Sequence, residues 1–197
     1  MMGKLIVIYG MNNLGKSTVA KGLVEFLKSE GKEVVYLKYP IYDLEPTGPR
    51  INKYLREGNP EGLNSDTVQE LYVQNRKDFE PRLSSMLKDG KWVIAEDYVG
   101  TGIAWGMIGG ASLERMEKIN EGLVQSDLAI LLDGERFLTG VEEGHTHESA
   151  MSLWANGRQI YLDLAARNAW QIVNANETRE QVLEKIVTIV NNYGQNI

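Results

Sequence analysis

Apolar residues fall along this chain in two rhythms that take turns. Residues 4–9 hold the unbroken apolar run Leu5-Ile6-Val7-Ile8-Tyr9, which reads as a strand buried on both faces. From Lys16 onward, Val19, Leu23, Phe26 and Leu27 recur at helical spacing until Gly31 supplies a stop. The alternation repeats, with further strands predicted over residues 33–38, 91–95, 127–132 and 171–174. A short helix is expected from Ile51 to Leu55, ended by Gly58-Asn59-Pro60. A long one follows, capped by Ser65 or Asp66, with Val68, Leu71 and Tyr72 and then Phe79, Leu83, Met86 and Leu87 inward. Pro81 lacks a donor and is expected to kink it near Phe79. Gly100, Gly102, Gly106, Gly109 and Gly110 read as a turn, before a helix from Ser112 with Leu113, Met116 and Leu123 inward. A helix over 151–167 comes next. The capping box Thr178-Arg179-Glu180-Gln181 then opens a last helix with Val182, Ile186 and Val190 inward. Five strands alternating with helices predict an α/β fold, a three-layer α/β/α arrangement around a parallel five-stranded sheet.

At 197 residues, with no repeat or linker, the chain is expected to form one domain over 1–197. A net charge of −6 argues against a polymeric nucleic acid as partner, because phosphate backbones call for a basic surface. Individual nucleotides remain open, since a basic pocket fits in an acidic protein. With no cysteine, disulfides and thiolate metal sites are excluded. No apolar run nears the roughly 20 residues of a membrane span, and the chain enters its first strand without a signal pattern. The expectation is therefore cytoplasmic, with no membrane partner.

Chemistry concentrates between the first strand and the first helix. Gly10-Met11-Asn12-Asn13-Leu14-Gly15-Lys16-Ser17-Thr18 fits the phosphate-binding loop G-x-x-x-x-G-K-[ST] and has strand, loop and helix in order. Successive backbone N–H groups at a helix N-terminus make a nest for phosphate oxygens. Lys16 would reach the β and γ phosphates, and the Ser17 hydroxyl would hold Mg²⁺. The loop indicates nucleotide binding, not what is done with the nucleotide. Glu96 ends the strand Trp92-Val93-Ile94-Ala95, where a carboxylate holds Mg²⁺ through water or positions the attacking group.

Further stretches fall in an order and spacing that, together with this loop, resemble the thymidylate kinase family of P-loop nucleoside monophosphate kinases. These are Pro40 followed by Gly48-Pro49-Arg50-Ile51-Asn52-Lys53-Tyr54-Leu55, then Tyr72-Val73-Gln74-Asn75-Arg76 with Pro81 five residues on. Glu96-Asp97-Tyr98 runs into Thr101-Gly102-Ile103-Ala104-Trp105, and Val173-Asn174-Ala175 comes late. The resemblance implies a P-loop kinase architecture with a lid over about residues 134–150, and ATP and Mg²⁺ as cofactors. It implies transfer of the γ-phosphoryl group to a deoxynucleoside monophosphate, with dTMP as the leading acceptor. It also implies that Tyr72 stacks on the base, Arg76 hydrogen-bonds it and Trp105 packs on the deoxyribose, with Pro40, Tyr98 and Gly102 beside the acceptor. Gly10, Asn12, Asn13, Gly15, Lys16, Ser17 and Thr18 would hold the phosphates, and Asn174 and Ala175 would border adenine. A homodimer stays open.

The chain departs from that family in three places. Asn12 stands where the family has an acid that contacts the sugar. Asp97 stands where the family has the arginine that clamps the acceptor phosphate. Two like charges at 4 Å repel by about 4 kcal/mol at an effective dielectric of 20, so Asp97 must turn away, be held by metal or a basic partner, or face an acceptor without phosphate. Arg50 and Lys38 are the basic residues best placed to take over the clamp. The loop carries no arginine, and the lid has His145-Thr146-His147-Glu148 where the family often has one. Arg158 then matches a family position for transition-state charge, and Arg136 lies nearby unmatched. A metal at His145 and His147 is disfavoured without a third histidine or any cysteine. Two rivals are weighed: a deoxynucleoside kinase with Glu96 as base for the sugar hydroxyl, and a slow nucleotide-dependent switch.

Overall fold

The computed structural model describes residues 2–135 and 151–195. Five strands, β1 (Leu5–Tyr9), β2 (Val34–Lys38), β3 (Trp92–Glu96), β4 (Leu128–Asp133) and β5 (Gln171–Asn174), form one parallel sheet in the order β2-β3-β1-β4-β5. The helices among the described residues are α1 (Lys16–Ser29), α2 (Thr47–Arg56), α3 (Ser65–Lys88), α4 (Val99–Ile108), α5 (Leu113–Ile119), α6 (Met151–Arg167) and α7 (Arg179–Gln195).

The strand order fixes the layers. The step from β1 to β2 runs toward one edge, whereas those from β2 to β3, β3 to β4 and β4 to β5 run the other way. Right-handed crossovers then put α1 on one face and α3, α4 and α6 on the other. The packing agrees: α1 lies against α7, while α4 lies against α3 and α6. Covered on both sides, β1 is buried at all five residues, which is why it reads as a continuous apolar run. On the edge strand β5 only Val173 is buried. The neighbours β1 and β3 feed connections in opposite directions, and the crevice at their C-terminal ends is where such sheets bind ligands.

Several boundaries differ from expectation. Of the glycine-rich turn, Gly109 and Gly110 do turn the chain, but Gly100, Gly102 and Gly106 lie in the helix α4, packed against Trp170, Arg76 and Met116 where any side chain would collide. Tertiary packing overrides the low helix propensity of glycine there. The α3 cap is Asn64 rather than Ser65 or Asp66; its Oδ1 accepts the Thr67 N–H at 2.9 Å. Pro81 sits inside α3, which runs as one helix of 24 residues. The capping box that opens α7 is reciprocal, Gln181 N–H to Thr178 Oγ1 at 3.3 Å and Thr178 N–H to Gln181 Oε1 at 3.1 Å. The lid and its residues Arg136, His145 and His147 lie outside the described residues, apart from Gly134 and Glu135 at its start.

Candidate active site

The loop between β1 and α1 turns on left-handed backbone at Asn13 (φ 60°) and Gly15 (φ 79°), the N-cap of α1. No side chain caps that helix, so its first N–H groups are left to a phosphate. Lys16 is buried, and its Nζ donates to the carbonyls of Gly10 (2.9 Å) and Met11 (3.0 Å). Asp97 Oδ1 lies 3.9 Å from the same ammonium. The loop thus binds its own lysine with oxygens that a phosphate would replace.

Glu96 ends β3, level with Ile8 on one side and Lys38 on the other. Its Oε1 accepts from Ser17 Oγ at 2.8 Å and lies 3.2 Å from Lys38 Nζ, while Oε2 accepts from the Tyr36 hydroxyl. Burial pushes this carboxyl up, but Tyr36, Lys38, Ser17 and Lys16 together hold it below the usual carboxylate range. A carboxylate beside the loop hydroxyl fits a magnesium ion, which keeps most of its waters and takes few protein oxygens. Among the described residues no group of three or more acidic or histidine side chains is placed to hold a metal ion.

A cleft of about 650 Å³ runs from this loop along α3 and α4. One stripe of α3, Ser65, Val68, Gln69, Tyr72 and Arg76, faces it at helical spacing. Opposite stand Tyr98, Gly102 and Trp105, with Pro40 from the loop after β2. Arg76 is 4% exposed, and among the described residues no carboxylate pairs with it. Its Nη2 donates to Asn120 Oδ1 at 3.0 Å, and its Nε has no partner. Burial draws the guanidinium down to about 10. A side chain at position 102 would put Cβ 2.5 Å from Arg76 Nη2, so glycine there is what admits the guanidinium. A buried cation without a counter-ion costs stability, and a site that retains one is built to meet an acceptor.

The family model described as thymidylate kinase matches residues 8–186. The chain belongs to the thymidylate kinase family. It is similar to the thymidylate kinase of Plasmodium falciparum, 33% identical over 66% of this chain and 61% of that protein. A probable thymidylate kinase of Thermococcus onnurineus is 31% identical over 94% of this chain and 96% of that protein. The thymidylate kinase of Arabidopsis thaliana is 28% identical over 95% of this chain and 71% of that protein. The solved structure of thymidylate kinase from Candida albicans shares the fold, with a TM-score of 0.83, 22% identity and coverage of 97% of this chain and 92% of that one.

Within this family frame Asp97 turns toward the loop lysine. Its backbone is left-handed (φ 59°), and its Oδ1 accepts from Thr101 Oγ1 at 2.7 Å while facing Lys16. Of the arrangements open to it, the one observed is the basic partner. Burial nonetheless pushes its carboxyl above the usual range. A raised carboxylate binds more protons folded than unfolded, so stability falls as pH rises from its ordinary value of 3.8 through the folded value. Asp97→Asn, which tolerates the same backbone, is therefore expected to raise Tm at pH 7.5. The gain should vanish near pH 3.5. Thermal melts at both pH values check this, and a lower Tm for the variant at pH 7.5 would refute it.

Most of the residues expected at the site meet in this one cleft: Asn12, Asn13, Gly15, Lys16, Ser17, Thr18, Ala175, Pro40, Tyr72, Arg76, Glu96, Tyr98, Gly102 and Trp105. Four do not line it. Gly10 lies behind the loop, where its carbonyl accepts from Lys16. Asn174 is exposed, and its Oδ1 accepts the Asn176 N–H at 3.0 Å. Arg50 is turned outward into a salt bridge with Glu61 at 2.8 Å, so of the two candidate clamps only Lys38 faces the cleft. Arg158 is held by both oxygens of Asp133, at 2.6 and 2.8 Å, where β4 ends. Gln69, Tyr42, Glu177 and Arg179 line the cleft and were not anticipated. Gln69 alone left a signal, as it precedes Tyr72 by one helical turn and Arg76 by two.

Proposed function

We propose that this protein transfers the γ-phosphoryl group of ATP to dTMP, giving dTDP. The observation that carries the acceptor is Arg76, a buried cation with no carboxylate partner, aimed between Tyr72 and Gly102 into a cleft that continues to the phosphate loop. Thymine presents an oxygen at position 4, which accepts from this guanidinium, and its ring stacks on Tyr72. Trp105 packs on the deoxyribose. The acceptor phosphate then points toward Lys38 and the loop.

Lys16 neutralises charge on the β and γ phosphates, and Ser17 with Glu96 would hold Mg²⁺, which would draw off negative charge from the same phosphates. Little covalent chemistry is asked of the chain, whose task is to align two anionic reactants and offset their repulsion. Arg158 supplies transition-state charge only after exchanging Asp133 for the phosphoryl group. Ala175, beside Val182 and Arg179, borders the adenine. The partner is a small nucleotide, and no described helix is long and apolar enough to cross a membrane.

Glu96 weighs against the nucleoside kinase reading. Both of its oxygens are engaged and its carboxyl is held low, which makes it a poor base for a sugar hydroxyl. The test is phosphoryl transfer from ATP to thymidine, dTMP, dUMP, dCMP and dGMP, followed by ADP release. Fastest transfer to dTMP is the expected result. Transfer to thymidine alone would replace this reading with a nucleoside kinase, and no transfer at all with a nucleotide-binding switch.

A further inference from the structure

One polar side chain of the cleft has no role in that account. Gln69 is 8% exposed, lines the cleft beside Tyr72, and its Oε1 accepts no hydrogen bond. A buried amide oxygen left unpaired costs free energy, and because the residue lines the cleft, turning the amide about its last bond brings that oxygen to a ligand able to donate to it. Gln69, Tyr72 and Arg76 stand at i, i+3 and i+7 on one face of α3. At 1.5 Å rise per residue the outer two are about 10 Å apart along the axis, with the tyrosine ring between them. Glutamine and arginine are long side chains, and from one turn on either side of Tyr72 they can converge on one edge of a flat base seated on that ring, where O4 and N3 are neighbours.

We propose that Gln69 is a specificity-determining residue, whose Oε1 accepts the N3–H of a thymine base seated on Tyr72. The inference rests on the acceptor reading given above. It completes the hydrogen-bond pattern of that base: O4 accepts and N3–H donates, so recognition needs one donor and one acceptor from the protein. Arg76 only donates. A glutamine amide turns either way, and by itself would match the reversed pattern of cytosine, an accepting N3 and a donating amino group. The fixed polarity of Arg76 removes that freedom, because an amino group at position 4 meets the guanidinium donor to donor. Arg76 therefore rejects cytosine, and Gln69, its amide set by that pairing, adds the requirement for an N3–H donor.

The test compares dTMP with its N3-methyl derivative, which retains O4 but has lost the donor, in the parent and in Gln69→Leu and Gln69→Met. The parent is expected to prefer dTMP by about 10²-fold in kcat/KM, since the methyl group both removes a bond and leaves the amide oxygen unpaired. Each variant should lose about tenfold on dTMP, through KM rather than kcat, and its preference for dTMP should shrink by a similar factor. General damage to the fold would lower both substrates together and leave their ratio unchanged. Two variants of similar volume guard against one that does not fold, and the parent ratio needs neither. If the parent uses dTMP but accepts the N3-methyl derivative equally, or the ratio survives in both variants, the Gln69 assignment is overturned. If the parent phosphorylates no pyrimidine monophosphate, the acceptor reading has failed, and this inference falls with it.

Discussion

Lys16→Ala is expected to lower kcat for phosphoryl transfer by about 10³-fold while leaving the protein folded. Removing a single preorganised donor from a site of developing negative charge costs about 10²–10³ in rate, and Lys16 carries a full charge besides. Its position explains why the fold should tolerate the change. The ammonium is held by the carbonyls of Gly10 and Met11, in a loop that opens on the cleft, so water can replace it. Of its acidic neighbours, Glu96 keeps Lys38, Ser17 and Tyr36, while Asp97 is already pushed up by burial, and loss of the lysine pushes it further toward its neutral form. No bare buried charge is left behind. Circular dichroism, thermal melts and a coupled ADP-release assay separate the two effects. Activity above one tenth of the parent in a folded variant would count decisively against the phosphate-loop assignment.

The second large effect concerns the base. The unmodified protein is expected to favour dTMP over dCMP by about 10⁴ in kcat/KM, because a site built around a buried donor rejects an analogue that cannot accept. Arg76→Ala should collapse that ratio to within about tenfold, by loss on dTMP rather than gain on dCMP. The same substitution has an unusual consequence for stability. It removes a buried cation that, among the described residues, pairs with no carboxylate and donates to the amide oxygen of Asn120. Truncation removes the cost of burying this charge, and the vacated space opens on the cleft where water can enter, so Tm should change little as activity falls. Equal efficiency on dTMP and dCMP before any mutation would remove the ground for assigning Arg76 to the base. A steep drop in Tm on mutation would instead make Arg76 a structural residue.

What the sequence determined by itself is local. The phosphate loop is legible because nine consecutive residues carry the whole signal, and the strand before it and helix after it need no distant partner to be recognised. The reciprocal cap of α7 is legible for the same reason, since Thr178 and Gln181 satisfy each other across three residues. The parallel sheet follows from its central strands, above all β1, whose unbroken apolar run can only be buried on both faces, while the edge strands β2 and β5 carry that signal weakly. Tertiary structure decided whatever depends on a partner far along the chain. Gly100, Gly102 and Gly106 read as a turn from local propensity, yet they form a helix because Trp170, Arg76 and Met116 fill the space where side chains would stand. Arg50 and Lys38 are equal candidates by sequence, but Glu61 turns one outward while the register of β2 on β3 sets the other beside Glu96. Asp97 by sequence could meet metal, a basic partner or no phosphate at all, and packing gave it Thr101 and Lys16 at the cleft wall. Arg158 keeps its place in the pattern of α6, but Asp133, 25 residues earlier, holds its guanidinium away from the cleft. A charge's position along the chain says where its backbone goes; which opposite charge it meets is fixed only when strands and helices pack, because ion pairs form between neighbours in space.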